Sequence, residues 1–160
     1  WTRKEFVTVK FVFAILFSAV GTIFIFLVGF LFGLITTGSH FTFAGMENVA
    51  YIFIQTVAYI TFAMFLAILF RRSGAAIAVF FLYGLIFEYL FTVLINMKLG
   101  LNPIGYFLPL QVTDVMLPIP FGTKVIYKDA PDVWILVIAS VAYISGYYFF
   151  ALKKFTKEDL

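Results

Sequence analysis

Apolar residues fill four long stretches of this chain, and a charged residue interrupts them only once. A helix rises about 1.5 Å per residue, so about 20 helical residues cross a hydrocarbon core about 30 Å thick. A soluble helix of that length would carry a polar face, and none of the stretches shows one. The pattern predicts four membrane-spanning helices, at residues 11–36, 49–70, 75–95 and 133–152.

The overall composition also indicates lipid as the solvent. Hydrophobic residues make up 64% of the chain, charged residues make up 12%, and the mean hydropathy is +1.08. Soluble domains carry about 25% charged residues. There is no cysteine, which excludes disulfide bonds and thiolate metal sites. Because the chain begins at Trp1 without a methionine or a signal-peptide pattern, we expect further residues to precede it.

The basic residues predict the orientation. Of the eleven lysines and arginines, eight lie at the two chain ends or between the second and third stretches. Basic flanks are retained in the cytoplasm, so both ends and the turn Arg71–Gly74 should be cytoplasmic, with residues 37–48 and 96–132 outside. The eight residues are Arg3, Lys4, Lys10, Arg71, Arg72, Lys153, Lys154 and Lys157.

The long outer segment combines helix breakers with apolar residues. All five prolines lie between Pro103 and Pro131, and proline breaks helices because it lacks an N–H group. Exposed to water, the apolar runs around these prolines would form a large greasy patch. Irregular backbone at membrane depth is tolerated where it packs against protein. We therefore expect residues 97–131 to form a re-entrant or interfacial hairpin instead of a free loop.

The N-terminal segment carries a helix-start signal. Thr2 and Glu5 match the S/T-x-x-E capping box, in which each side chain bonds the backbone N–H of the other residue. Residues 1–10 should therefore form an amphipathic helix with Lys4 and Lys10 facing water or lipid phosphate. Two interpretations are open: a helix that only anchors the first span, or one that docks on a partner.

Glu88 is the only charged residue inside a predicted span. A charge at the membrane centre costs at least about 2.5 kcal/mol, so Glu88 should face protein or water. Gly84, Glu88, Thr92 and Asn96 recur every four residues and make one small-to-polar stripe. The stripe either takes part in a transport pathway or only orders the bundle through a hydrogen bond.

Two pairs of small residues predict helix-packing faces. Gly29 and Gly33 form a G-x-x-x-G motif in the first span, and Ala142 and Gly146 repeat the spacing in the fourth. Small residues let helix backbones approach closely in lipid. The motif does not distinguish packing within one chain from dimerisation.

The chain is poorly supplied with catalytic groups. Its single histidine, His40, lies in an outer loop, and the hydrolase, metalloprotease and phosphate-loop motifs are absent. We therefore expect no enzymatic activity, no directly bound cofactor and no metal site. Any ATP-driven work would require a motor on another polypeptide.

Four segments together resemble the later two-thirds of the permease subunit of type-2 ATP-binding-cassette (ABC) exporters. The opening segment is similar to the family's cytoplasmic coupling segment, and Phe70–Ala78 is similar to its short basic turn. The outer prolines resemble its outer hairpin, and the terminal aromatic span with its basic end resembles the family's C-terminus. These segments are residues 1–10, 70–78, 106–120 and 148–160.

The resemblance implies a fold, partners and a mechanism. It makes residues 1–160 one transmembrane domain that corresponds to helices three to six of a six-helix permease in the bacterial inner membrane. Two permeases would pair, as a homo- or heterodimer, and each would dock on an ATPase subunit that binds ATP and magnesium; membrane lipid is the other partner, and nucleic acid is not one. Closure of the ATPase would push a coupling helix that contains Arg3, Lys4, Glu5 and Lys10.

The main alternative is a membrane scaffold or anchor subunit of a larger complex that does not transport. A membrane-embedded enzyme lacks a recognisable group of catalytic residues. An ion-coupled carrier would require more charge inside the membrane than Glu88 alone, and it often has broken helices at mid-membrane.

Overall fold

The computed structural model describes residues 2–37, 45–70, 72–117 and 130–157, without the side chains of Arg3, Thr37, Thr156 and Lys157. Within these ranges the regular structure is entirely helical. Four helices are long and apolar enough to cross a membrane. The predicted number of spans and the all-α class of this multi-pass membrane protein are therefore confirmed.

Four long helices and one short helix follow one another along the described ranges. They are α1 (Arg3–Thr37), α2 (Glu47–Leu69), α3 (Ser73–Lys98), α4 (Gln111–Asp114) and α5 (Val133–Lys157). All four long helices are free of proline, so their backbone hydrogen bonds run without a missing donor. Helices α1 and α5 extend beyond the predicted spans at their basic ends.

The N-terminal segment differs from the expected arrangement. The amphipathic helix predicted for residues 1–10 is not a separate element, because α1 runs unbroken from Arg3 to Thr37. Nothing between residues 3 and 37 interrupts it: the range holds no proline, and its three glycines, Gly21, Gly29 and Gly33, lie inside an apolar helix. The segment is thus the beginning of the first span.

Helix α3 contains two π-helical turns that the sequence did not predict. They cover Tyr83–Phe87 and Leu94–Lys98, on either side of the α-helical stretch Glu88–Val93. A π turn fits an extra residue into the helix and often marks a functional site. Here the two turns lie on either side of Glu88 and Thr92, and Asn96 is part of the second turn.

The segment between α3 and α4 turns back along the bundle. Gly100 adopts a positive φ of 64° just after α3 ends, a left-handed conformation that glycine reaches without steric cost. A 3₁₀ turn at Ile104–Phe107 and α4 follow. This part of the predicted hairpin, which we call the inner hairpin (residues 104–117), packs against α2, α3 and α5.

Two clusters of buried side chains hold the helices together. In lipid, such clusters stabilise through close packing because the surrounding acyl chains are equally apolar. The first cluster joins the start of α1, the second half of α2, the start of α3 and the end of α5, and the second joins the inner hairpin to α5. Their buried members are Val7, Phe11, Phe62, Leu66, Ala76, Leu110, Tyr147 and Ala151, and Tyr106, Val112, Val115, Met116 and Leu136.

Helix α1 is more exposed in its second half than in its first. Its buried residues follow one stripe that ends at Thr22. From Ile23 to Thr36 no residue is buried, and the half-buried ones are Phe26, Val28, Phe30 and Gly33. The exposed side chains of this half, which include Phe24, Phe32 and Ile35, form an apolar surface.

Candidate functional site

Glu88 is buried, with 1% of its surface exposed, and it faces the inner hairpin. Its Oε1 atom accepts hydrogen bonds from the backbone N–H groups of Leu110 at 2.6 Å and Gln111 at 2.9 Å. These groups lie at the beginning of α4, where a helix leaves its N–H groups without partners. The carboxyl of α3 thus caps a helix that lies 22 residues further along the chain.

The rest of the predicted stripe contacts the same segment. The Thr92 hydroxyl lies 2.9 Å from the Glu88 carbonyl oxygen and 3.2 Å from that of Gly105, and Asn96 Oδ1 accepts the Gly105 N–H at 2.8 Å. Gly84 lies beside Leu110, whose Cδ1 atom would be 3.3 Å from an added Cβ. One face of α3 therefore binds the inner hairpin from its 3₁₀ turn to α4.

Side chains from α2 and α5 hold the other side of the inner hairpin. Gln55 donates to Asp114 Oδ1 at 2.8 Å, and the Tyr59 hydroxyl donates to the same carboxylate at 2.8 and 2.9 Å. Tyr143 of α5 donates to the Phe107 carbonyl at 2.7 Å. Three helices therefore fix this segment through hydrogen bonds.

The sequence pattern did not predict the contacts of Asp114. Burial raises the pKa of its carboxyl, although the hydrogen bonds from Tyr59 and Gln55 act in the opposite direction. A signal was present, because Gln55 and Tyr59 are four residues apart on an otherwise apolar helix and so share one face.

The centre of the bundle contains two carboxyl groups without a described cationic partner. They are Glu88 of α3 and Asp114 of α4. Glu88 Oε2 and the Tyr147 hydroxyl are buried without a hydrogen-bond partner in the parts of the chain that the structure describes. In those same parts, no group of three or more histidine, aspartate or glutamate residues lies close enough to hold a metal. The hydrogen bonds of this centre hold the backbone of the inner hairpin in place.

The predicted capping box is present at the start of α1. The Thr2 N–H donates to Glu5 Oε2 at 2.7 Å, and the Glu5 N–H donates to Thr2 Oγ1 at 3.3 Å. Lys4 and Lys10 are exposed, and the Lys10 ammonium lies 4.3 Å from the centre of the Phe6 ring. Arg3 begins the helix. The predicted coupling residues thus lie on a capped helix end that exposes two lysines.

The start of α1 is attached to the end of α5. The rings of Phe6 and Phe155 stack with centroids 5.6 Å apart, and Phe11 packs edge-on against Tyr148 at 5.1 Å. The hydroxyls of Thr8 and Tyr148 are 3.0 Å apart. A displacement of the first turns of α1 would therefore also move the end of α5.

Two of the predicted packing glycines lie beside open space in the described chain. An added Cβ at Gly29 or Gly146 would meet no described atom within 4 Å. Gly29 and Ala142 are exposed, and Gly33 and Gly146 are half-buried. Gly29 and Gly146 therefore do not form close helix contacts within the described chain.

Several predictions fall on residues outside the described ranges. His40 and Arg71 are among them, as are the outer prolines Pro118 and Pro120. The turn between α2 and α3 is described only from Arg72, whose backbone is extended, onward.

These features define a polytopic helical membrane protein whose inner hairpin is hydrogen-bonded to three of its spans. The chain belongs to the family described as "Protein of unknown function (DUF2705)", which matches residues 1–160. Neither the comparison with curated proteins nor the comparison with solved structures found a match.

Proposed function

We propose that the chain is the transmembrane permease subunit of an ATP-driven ABC exporter. In this proposal it lies in a bacterial inner membrane with both ends in the cytoplasm, and a separate ATPase subunit binds ATP and magnesium. The observation that carries the proposal is the continuity of α1 from the capped, basic end at Thr2 to Thr37. A displacement of that end would be transmitted to the first span, because the two belong to one unbroken helix.

The connection between α1 and α5 supports this role. An α-helix resists bending because each turn is hydrogen-bonded to the next, so α1 would transmit a displacement of Lys4 and Glu5 along its length. Through Phe6, Thr8 and Phe11 the same displacement would reach the end of α5. One contact with the ATPase would therefore move two spans, α1 and α5.

In this proposal the inner hairpin forms the barrier of the transport pathway on the outer side of the membrane. Glu88 lies ten residues before Lys98, the end of α3, which corresponds to a depth of about 15 Å along the helix. An inner hairpin held at this depth re-enters the membrane. Side chains of α3 and α5 satisfy its irregular backbone, as burial in protein requires, and side chains of α2 bind its Asp114 carboxylate. In this arrangement Glu88, Thr92 and Asn96 act by positioning the segment that lines the pathway.

The second half of α1 supports a second permease as partner. Its apolar surface and Gly29 are uncovered by the rest of the described chain, and small residues favour close helix approach in lipid. A transport pathway would then lie between two permease chains.

The experiment uses the permease together with an ABC ATPase that co-purifies with it, reconstituted in proteoliposomes. Replacing Arg3, Lys4 and Glu5 by alanine should abolish the stimulation of ATP hydrolysis by the permease while both subunits remain in the vesicles. The control is Thr2→Ala, which removes one capping interaction at a cost of about 1 kcal/mol and keeps every charge. Full stimulation by the triple variant would contradict the proposal.

A membrane scaffold is the second candidate, and the hydrogen bonds of Glu88, Asp114 and Tyr143 to or within the inner hairpin favour it because they make the outer half of the bundle rigid. A scaffold would bind its partner without changing its structure when the partner binds nucleotide. Crosslinking across the inner hairpin with and without a non-hydrolysable ATP analogue distinguishes the two, since only an exporter should change its crosslinks.

A further inference from the structure

An apolar groove runs along α5, between Phe65 of α2 and Phe107 of the inner hairpin. Its volume is about 520 Å³, and its walls are almost wholly hydrocarbon and aromatic. Ala139, Ala142 and Gly146 form its floor, and the open space above Gly146 is part of it.

The walls of the groove are fixed by contacts with neighbouring elements. Tyr143 is held by its hydrogen bond to the Phe107 carbonyl at 2.7 Å. The Tyr147 ring stacks on Phe65 with centroids 5.6 Å apart and lies 6.1 Å from the Tyr143 ring. Because these rings are held in place, the groove is a formed feature of the fold that does not require side chains to move aside.

The groove is long enough for a lipid tail. From Ala139 to Phe150 it follows α5 for about 16 Å. With a volume of about 520 Å³ over this length, it admits a hydrocarbon chain that lies along the helix.

Charge at one end of the groove indicates the head group. Gly146, Phe150 and Lys153 follow one another at spacings of four and three, so they share one face of α5. Lys153 is exposed, and the neighbouring Lys154 donates to the Leu69 carbonyl at 2.7 Å. A positive charge lies just beyond the groove, where the phosphate of a lipid in the groove would be. The length of about 16 Å also matches one leaflet, half of a hydrocarbon core about 30 Å thick.

We infer that the groove binds one acyl chain of an anionic phospholipid from the leaflet at the Lys153 end of α5, with the lipid phosphate beside Lys153. The bound chain fills the space between α2, α5 and the inner hairpin and so supports the wall formed by Phe107. The site does not depend on the transport proposal, because it requires only that the helices cross a bilayer.

The test is native mass spectrometry of the purified full chain in micelles that contain phosphatidylglycerol or phosphatidylcholine with the same acyl chains. Gly146→Leu places a side chain in the groove and should reduce the affinity for both lipids by more than tenfold, because the leucine occupies the space that the acyl chain would fill. Lys153→Gln should reduce the affinity for phosphatidylglycerol alone, by about fivefold.

Two further variants keep the test decisive. Gly21→Leu adds the same side chain at an open position of α1 and should leave lipid binding unchanged. Ala142→Leu fills the groove from an exposed position and serves if Gly146→Leu does not fold. Wild-type lipid affinity in both groove variants would overturn the inference. So would conversion of a dimer to a monomer by these variants at constant lipid content, because the groove would then be a protein interface.

Discussion

At the scale of single residues, the most informative side chain is Glu88. Burying a carboxyl group inside a membrane helix costs free energy. Here one oxygen atom of that carboxyl accepts hydrogen bonds from two N–H groups, those of Leu110 and Gln111, at the start of α4. Burying those groups without an acceptor would cost about 1–3 kcal/mol each. The acid in α3 and the irregular inner hairpin therefore require each other.

Glu88→Ala should consequently destabilise the fold far more than Glu88→Gln. Alanine leaves both N–H groups without an acceptor and should lower the free energy of unfolding by about 3 kcal/mol or more, whereas glutamine keeps a carbonyl oxygen in place and should cost about 1 kcal/mol. The measurement is unfolding by SDS in mixed micelles, followed by far-ultraviolet circular dichroism. Thr56→Ala is the control, because the Thr56 hydroxyl donates only to the Ile52 carbonyl of its own helix. Equal losses for the two Glu88 variants would show that the cap does not matter.

At the scale of elements, the central feature is the contact between α3 and the inner hairpin. The four-residue spacing of Glu88, Thr92 and Asn96 predicts a shared face, and the proline-rich outer segment predicts a hairpin. That the two meet was not predictable, because a hydrogen bond across 22 residues depends on where the chain turns at Gly100. The π turns in α3 were also hidden, since tertiary contacts and not local propensity select them. Gln55 was missed because a neutral amide in a span gives a weaker signal than a charge.

Gly105 tests how closely these two elements approach. A Cβ atom at this position would lie 2.6 Å from Asn96 Oδ1 and 2.9 Å from the Thr92 carbonyl oxygen. Gly105→Ala should therefore push the inner hairpin away from α3 and cost about 1–3 kcal/mol.

The matched control for Gly105→Ala is Gly29→Ala, which enters open space in the middle of a helix and should stabilise the protein by about 0.5–1 kcal/mol. Thermal melting of both variants in the same detergent is the measurement. A melting point for Gly105→Ala at or above that of the wild type would mean that the contact is looser than described.

At the scale of the whole molecule, the positions of the basic residues predict how the protein is oriented in the membrane. Four apolar helices bring Lys4, Lys10, Arg72 and Lys153 to one end of the bundle, and the positive-inside rule predicts that this end is cytoplasmic. In that orientation the inner hairpin enters from the opposite side. Both proposals use this polarity, since the coupling segment must meet an ATPase in the cytoplasm and the phosphate beside Lys153 must belong to the inner leaflet.

Because the chain contains no cysteine, single introduced thiols test this orientation. Ser73→Cys lies at the exposed start of α3, and Leu101→Cys lies at an exposed position three residues after its last residue, Lys98. In intact cells a membrane-impermeant maleimide should label Leu101→Cys, and it should label Ser73→Cys only after the membrane is opened. The cysteine-free wild type measures background labelling. The reverse pattern would place the basic end outside and remove the basis of the coupling proposal, because α1 would then begin where no ATP-hydrolysing subunit could reach it.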